Sequence, residues 1–186
     1  MQKKFPLISI YDANSEKELL RNPEVVSRAH QLAFALSSTK VGVIGRVGSP
    51  VTSTVLTTLT DKGGSAIGLS PAGNYSEHEK AYRLPQVSFP LIYVGRGALA
   101  ADLVALSSSH GVIISGSDEE SLLGILGYIG DKAVPIGIFT EENPNDVRAR
   151  ISAHYINLMP HIHISKDPNG LVHEVTFEMR RQNLSS

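Results

Sequence analysis

The residues best equipped for chemistry sit in short glycine-containing segments. Gly45-Arg46-Val47-Gly48-Ser49 joins two turn-forming glycines to a guanidinium and a hydroxyl. Such a turn lets backbone approach an anion, the arginine can pair bidentately with phosphate or carboxylate, and the serine can cap or donate. Arg96 stands between Gly95 and Gly97 and offers a second cation. Ser115-Gly116-Ser117 runs into Asp118, Glu119 and Glu120, a third glycine turn followed by three carboxylates. Each has a plainer reading. A glycine turn before a helix also serves close strand–helix packing, and Arg96 reads equally as a solvated arginine.

The third segment divides the same way. A helix N-terminus with free N–H groups is an ordinary phosphate holder. Ser117 and Glu120, however, form an S-x-x-E capping box, so Ser117 would occupy those donors itself. Three carboxylates in the first turn would each oppose a phosphate dianion by about 1 kcal/mol. An optimally capped helix is therefore the favoured reading. Further along, His161 and His163 alternate, and a hairpin register would set Glu174 beside them. Zinc is one reading of that trio and a half-exposed polar strand face the favoured one, so no metal is expected. His78, Glu79, Lys80, Tyr82 and Arg83 suit either a flap or a solvated surface, and no Ser-His-Asp signature is visible.

These segments matter only where the fold places them. Apolar, β-rich runs at residues 7–11, 40–44, 65–69, 91–94, 111–114 and 134–139 read as six strands. Helices lie between them. Asn22-Pro23 starts one whose stripe is Val25, Ala29, Leu32, Ala33 and Leu36. Ser49-Pro50 and Gly63-Gly64 bound another, read as helix despite five threonines between them, because start and stop signals agree. A third spans 98–107. The helix after Ser117 carries Leu122, Ile125, Leu126 and Ile129 and stops at Gly130, and Asn143-Pro144 opens one to about residue 156. The polar stretch 70–88 reads as a loop or flap. Asp167-Pro168-Asn169-Gly170 reads as the turn of a C-terminal hairpin joining 161–165 to 171–179. Alternating strands and helices predict an α/β fold: one Rossmann-like, three-layer domain over residues 1–186 with a mainly parallel sheet and a loose tail from about 180. Ligands of such sheets sit at the strands' carboxyl ends, where the glycine turns fall.

Composition narrows the function. Charged residues are 19% of the chain and the formal net charge is −1, so no basic field exists to condense on nucleic acid. The absence of cysteine removes disulfides, thiolate metal sites and a cysteine nucleophile. No apolar run reaches membrane-spanning length and the N-terminal apolar stretch is too short for a secretory leader, so the expected setting is cytoplasmic.

With the elements in order, the chain resembles the Lonely Guy (lysine-decarboxylase-like) superfamily. Val43-Ile44-Gly45-Arg46-Val47-Gly48, a helix, then Gly63-Gly64-Ser65-Ala66-Ile67-Gly68-Leu69-Ser70-Pro71 is similar to that family's glycine turn, Gly-Gly pair and I-G-I-x-P strand. Ser108-Ser109-His110-Gly111-Val112-Ile113-Ile114 leads into Ser115 to Leu123, where the family carries P-G-G-x-G-T-x-x-E. Ala133-Val134-Pro135 then resembles its K-P-V strand. The likeness covers residues 7–139. Of the signature only Gly116 is kept; the family's catalytic glutamate falls on Leu123 and its arginine pair near Ala101-Asp102.

The resemblance implies a homodimer, with Leu99, Leu103, Leu122 or Ile125 as candidate surface residues. The lost catalytic pair implies a non-catalytic protein that binds a nucleotide or small phosphorylated metabolite. Gly45, Arg46, Gly48, Ser49, Arg96, Gly97, Gly116 and Ser117 are the expected ligand residues, and no cofactor is expected. The alternatives are a nucleoside 5′-monophosphate phosphoribohydrolase using Glu119 or Glu120 with Arg96, or an interaction protein with a vestigial pocket. Some superfamily relatives carry the molybdenum cofactor, a possibility these residues do not single out.

Overall fold

A computed structural model describes residues 6–14, 23–82, 87–130 and 132–184. Seven strands form one sheet: β1 (Leu7–Asp12), β2 (Gly42–Arg46), β3 (Ala66–Ser70), β4 (Leu91–Tyr93), β5 (Gly111–Ser115), β6 (Ile136–Phe139) and β7 (Ile162–Ser165). Their order is β4-β3-β2-β1-β5-β6-β7, and every neighbouring pair is parallel. Helices α1 (Pro23–Ser37), α2 (Pro50–Asp61) and α7 (Pro168–Leu184) bury their stripes on one face with Ile8, Ile10, Val43 and Ile113. On the other face α4 (Gly97–Ser108), α5 (Glu119–Ile129) and α6 (Pro144–Ser152) cover Tyr11, Ile44, Val112 and Ile114. Adjacent strand residues thus enter opposite cores, which is why the central strands read as unbroken apolar runs.

The threonine-rich α2 is a helix, as its boundary residues require. Ser49 caps it through Thr52 N–H at 3.4 Å with Pro50 in the first turn, and Thr60 returns its hydroxyl to the Leu56 carbonyl at 2.9 Å. The start predicted for α1 at Pro23 holds, whereas Asn22 lies outside the described residues.

Five expectations are corrected. The 70–88 segment contains a helix, α3 (Tyr75–Tyr82), opened by an N-x-x-E box: Asn74 accepts from Glu77 N–H at 3.0 Å while Glu77 reaches back to Gly73 N–H at 2.8 Å. The helix from Asn143 ends at Ser152, and a 3-10 turn (Ile156–His161) leads into β7. There is no C-terminal hairpin. β7 runs parallel to β6, and Asp167 caps α7 through the N–H groups of Asn169 and Gly170 at 3.0 and 2.9 Å. Leu171, Val172, Val175 and Met179 are one buried helical stripe, and α7 continues to Leu184 through the stretch read as a tail. Finally, α5 is capped by Asp118 rather than Ser117: its carboxylate accepts from Ser121 N–H at 3.1 Å and from the Ser121 hydroxyl at 2.8 Å.

Candidate functional site

Chain order reverses between β1 and β5, so a ligand crevice is expected at their carboxyl ends. The two loops there are drawn together. Ala13 N–H donates to Ser115 O at 2.7 Å, Asp118 N–H to Ala13 O at 2.9 Å, and the Asn14 amide to Ser115 O at 3.1 Å. Gly116 has φ 103° and is buried; a Cβ there would stand 2.6 Å from the Ala13 carbonyl oxygen. Gly116 therefore serves loop-to-loop packing. Asp12 organises this floor, accepting from Asn14 N–H (3.0 Å), the Asn14 side-chain amide (2.8 Å) and the Ser49 hydroxyl (2.6 Å). Ser49 is thus engaged as cap and as donor. Arg28 adds a 3.5 Å contact to Asn14 Oδ1. Asp12, Asn14 and Arg28 were missed from sequence. An Asp-x-Asn at a strand end, two types that turn backbone locally, was the available signal.

Gly45 is buried beneath α2, and its Cβ would stand within 2.4 Å of the Thr52 methyl, so strand–helix packing requires it. Gly48 is exposed at the turn. Arg46 turns onto α4 and places Nε 3.0 and 3.1 Å from the two oxygens of Asp102. The Tyr11 hydroxyl donates to the Asp102 backbone carbonyl at 2.7 Å. Burial raises the Asp102 carboxyl above the ordinary range, and Arg46 only partly offsets it. Burial, then Asp102, push the Tyr11 phenol strongly upward, so it stays a neutral donor. Asp102 thus takes up Arg46, one of the two arginines expected at the ligand site.

Arg96 and Gly97 lie exposed where β4 hands over to α4. Arg96 occupies the N-cap position without a side-chain capping bond, and Gly97 has φ 82° with open space where a Cβ would point. By contrast α2, α3, α5, α6 and α7 each have a side chain on a first-turn N–H. The Gly97 N–H donates to the Pro71 carbonyl at 3.3 Å, and among the described residues no side chain caps the first-turn N–H groups that follow it, which lie beside a guanidinium. Arg96 flanks the first turn of the helix whose second turn holds Arg46 through Asp102.

Ser117 faces the β6 end instead. Its hydroxyl donates to Glu142 Oε1 at 2.5 Å and accepts from Thr140 Oγ1 at 2.9 Å, while Arg150 Nη2 pairs with Glu142 Oε2 at 2.8 Å. Arg150 first, with Ser117, holds the Glu142 carboxyl below the usual range, and Glu142 raises Arg150. Glu119 and Glu120 are exposed in the first turn of α5. Leu123 is half-buried, its carbonyl accepting from Tyr155 OH at 3.0 Å, and Ala101 is buried.

The histidine trio is not joined by a hairpin: Glu174 lies on α7 rather than on a paired strand, His163 approaches Glu178 at 3.8 Å, and no cluster able to hold a metal occurs among the described residues. His78 is buried with Nδ1 2.8 Å from Ser70 Oγ, and burial lowers its pKa. Glu79 and Lys80 are exposed, while the Tyr82 side chain and Arg83 lie outside the described residues. Among those residues no helix is long and apolar enough to cross a membrane.

Sheet order, layers and strand-end loops define a Rossmann-like three-layer α/β protein. No protein-family model matches the sequence, and no curated protein matches it. Solved structures share the fold. The molybdenum cofactor binding protein from the phototrophic bacterium Rippkaea orientalis superposes with TM-score 0.68 at 16% identity, over 97% of this chain and 98% of that one. The molybdenum cofactor carrier protein from Chlamydomonas reinhardtii gives TM-score 0.65 at 16% identity, over 98% and 100%. At such identities the likeness is one of fold.

Proposed function

We propose that this protein is a non-catalytic binding protein of Lonely Guy-like ancestry with an eroded signature motif. It holds a small phosphorylated metabolite, nucleotide or cofactor at the carboxyl ends of its strands. The observation that carries this reading is the first turn of α4, which no side chain of the described residues caps, beside Arg96 and Gly97, at the sheet end where parallel α/β proteins receive ligands. Gly48 and Arg46 border the same end of the sheet, and Gly45, Ser49, Gly116 and Ser117 shape its floor from positions already engaged. Leu123 where the resemblance puts the family's glutamate, and Ala101-Asp102 near its arginine, favour binding without hydrolysis.

The fold neighbours are a molybdenum cofactor binding protein and a molybdenum cofactor carrier protein, so that cofactor is the first ligand to try. With no cysteine in the chain, this protein would offer the metal no thiolate, and Arg96 with the α4 amides would hold an anionic group. The test is thermal unfolding with inorganic phosphate, AMP, ribose 5-phosphate and the anaerobically supplied cofactor, on wild type and Arg96→Asp. At 100 times Kd a true ligand adds about 2.7 kcal/mol, a rise on the order of 5–10 °C. Arg96 is exposed, so the variant should fold normally and lose that rise. No response from wild type to any of the four ends the proposal.

The same reading makes the protein a homodimer. Leu99 and Leu103 of α4 are 50% and 45% exposed, with Ile92 of β4 at 49%. Sedimentation should give a dimer at micromolar concentration and a monomer for Leu103→Glu; a wild-type monomer contradicts it.

A further inference from the structure

At the far edge of the sheet, β7 has a neighbour on one side only among the described residues. Thr140 N–H donates to Ser165 O at 3.2 Å, so the Ser165 and His163 backbones face β6. By the two-residue period of a strand, the N–H and C=O of Ile164 point outward. A cleft of about 300 Å³ lies along this edge, with His163, Ile164 and Ser165 as its floor. Arg148 of α6 forms one wall, and Leu171 and Glu174 of α7 the other. Both charged residues are exposed, and neither has an ion-pair partner among the described residues, although they line one cleft. The buried Nε2 of His163 also has no hydrogen-bond partner.

We infer that this edge accepts an extended peptide segment of another protein as an eighth strand, with adjacent acidic and basic residues at its centre. Consecutive strand side chains point to opposite faces, so one is delivered to Arg148 in the α6 layer and the next to Glu174 in the α7 layer. A second copy fits poorly. Antiparallel edge pairing across a two-fold axis keeps each layer with itself, setting Arg148 against Arg148 and Glu174 against Glu174. Like charges facing one another disfavour that arrangement. Backbone bonds to Ile164 supply the attachment and the two walls select the sequence.

The probe is a fluorescein-labelled peptide TVTEKTVT, its binding to the full chain followed by polarisation. Two analogues carry N-methyl groups on alternate residues, so only one loses the donors that face β7. That analogue should bind about 5–10-fold more weakly per lost bond, and the other should match the parent. Replacing the central pair with Glu-Glu or Lys-Lys should cost about 2–5-fold. Arg148→Glu, at an exposed position, should reverse the preference toward Lys-Lys. Hydrogen exchange should show the Ile164 amide protected in the complex. Equal binding of the two methylated analogues, competition by free glycine as a small zwitterion, or no binding of the parent would overturn the inference. None of these outcomes touches the phosphate site, whose variant is at Arg96.

Discussion

Replacing Asp102 by Asn separates two roles that the Arg46–Asp102 pair could have. The guanidinium Nε lies 3.0 and 3.1 Å from the carboxylate oxygens, and the side chains are 30% and 24% exposed. Charges about 4 Å apart attract by about 1 kcal/mol in water and about 4 kcal/mol at the effective dielectric of a protein surface. Solvent screening and desolvation take back most of that, and half-exposed pairs measure at about 0–1 kcal/mol. Here burial outweighs Arg46 and raises the Asp102 pKa, so the environment disfavours the ionised carboxylate despite its partner. Asp102→Asn should therefore change neutral-pH stability by less than about 1 kcal/mol. Arg46 can turn to solvent, and the backbone carbonyl that receives Tyr11 is untouched.

The sign with pH follows from the raised value. A carboxyl whose folded pKa lies above its unfolded one adds stability that is fully present below about 3.9 and is lost as pH rises through the folded pKa. Asparagine does not titrate, so the variant should gain on wild type across that window and then run parallel to it. Urea unfolding from pH 3.5 to 8 reads this difference. Phosphate-ligand affinity provides the second assay: releasing Arg46 should tighten an anion about 5–10-fold, about 1.0–1.4 kcal/mol. Destabilisation above about 2 kcal/mol at neutral pH would mean the pair is a buried structural bridge. Unchanged affinity would mean Arg46 does not reach the ligand, and either result refutes the reasoning.

Glycines in the strand-end loops should fall into two classes under alanine substitution. Gly116→Ala meets the Ala13 carbonyl at 2.6 Å with φ 103° and should cost more than about 3 kcal/mol, whereas Gly97→Ala, at φ 82° in open space, should cost about 1–2 kcal/mol. Thermal melting reads them as drops of roughly 6–12 °C or more against about 2–8 °C. Neutral His78 should make the protein acid-sensitive. Its folded pKa is depressed by burial, so its contribution is present above about 6.5 and lost as pH falls toward the folded value. His78→Asn should flatten the melting profile between pH 5 and 7.5, and an unchanged slope would contradict the assignment.

Much of the fold could be read from the chain because its cues are local. Ser49-Pro50 marks a helix start that outweighs five threonines, and strands apolar on both faces announce a covered parallel sheet. The errors arose where one sequence served two patterns. Asp167-Pro168-Asn169-Gly170 suits a hairpin turn and a helix cap alike, and only the stripe Leu171, Val172, Val175 and Met179 separates them. Asn74-x-x-Glu77 went unread because the helix it opens is short and polar, with His78 the single buried residue among its described side chains.

The candidate site was legible in its position and not in its wiring, and the distinction is physical. Carboxyl-end glycine loops follow from strand order, which local patterning reveals. Whether a cation there is available depends on partners remote in sequence. Arg46 and Asp102 are 56 residues apart, and Ser49 and Asp12 are 37 apart. No local spacing rule reaches across such separations. Residues of the most obvious chemistry, Arg46, Ser49 and Ser117, are each engaged internally, while Arg96 sits beside a helix start that no side chain of the described residues caps. Binding strength at this site should therefore follow the first-turn amides beyond Gly97 and Arg96, with Arg46 held in reserve by Asp102 rather than lost.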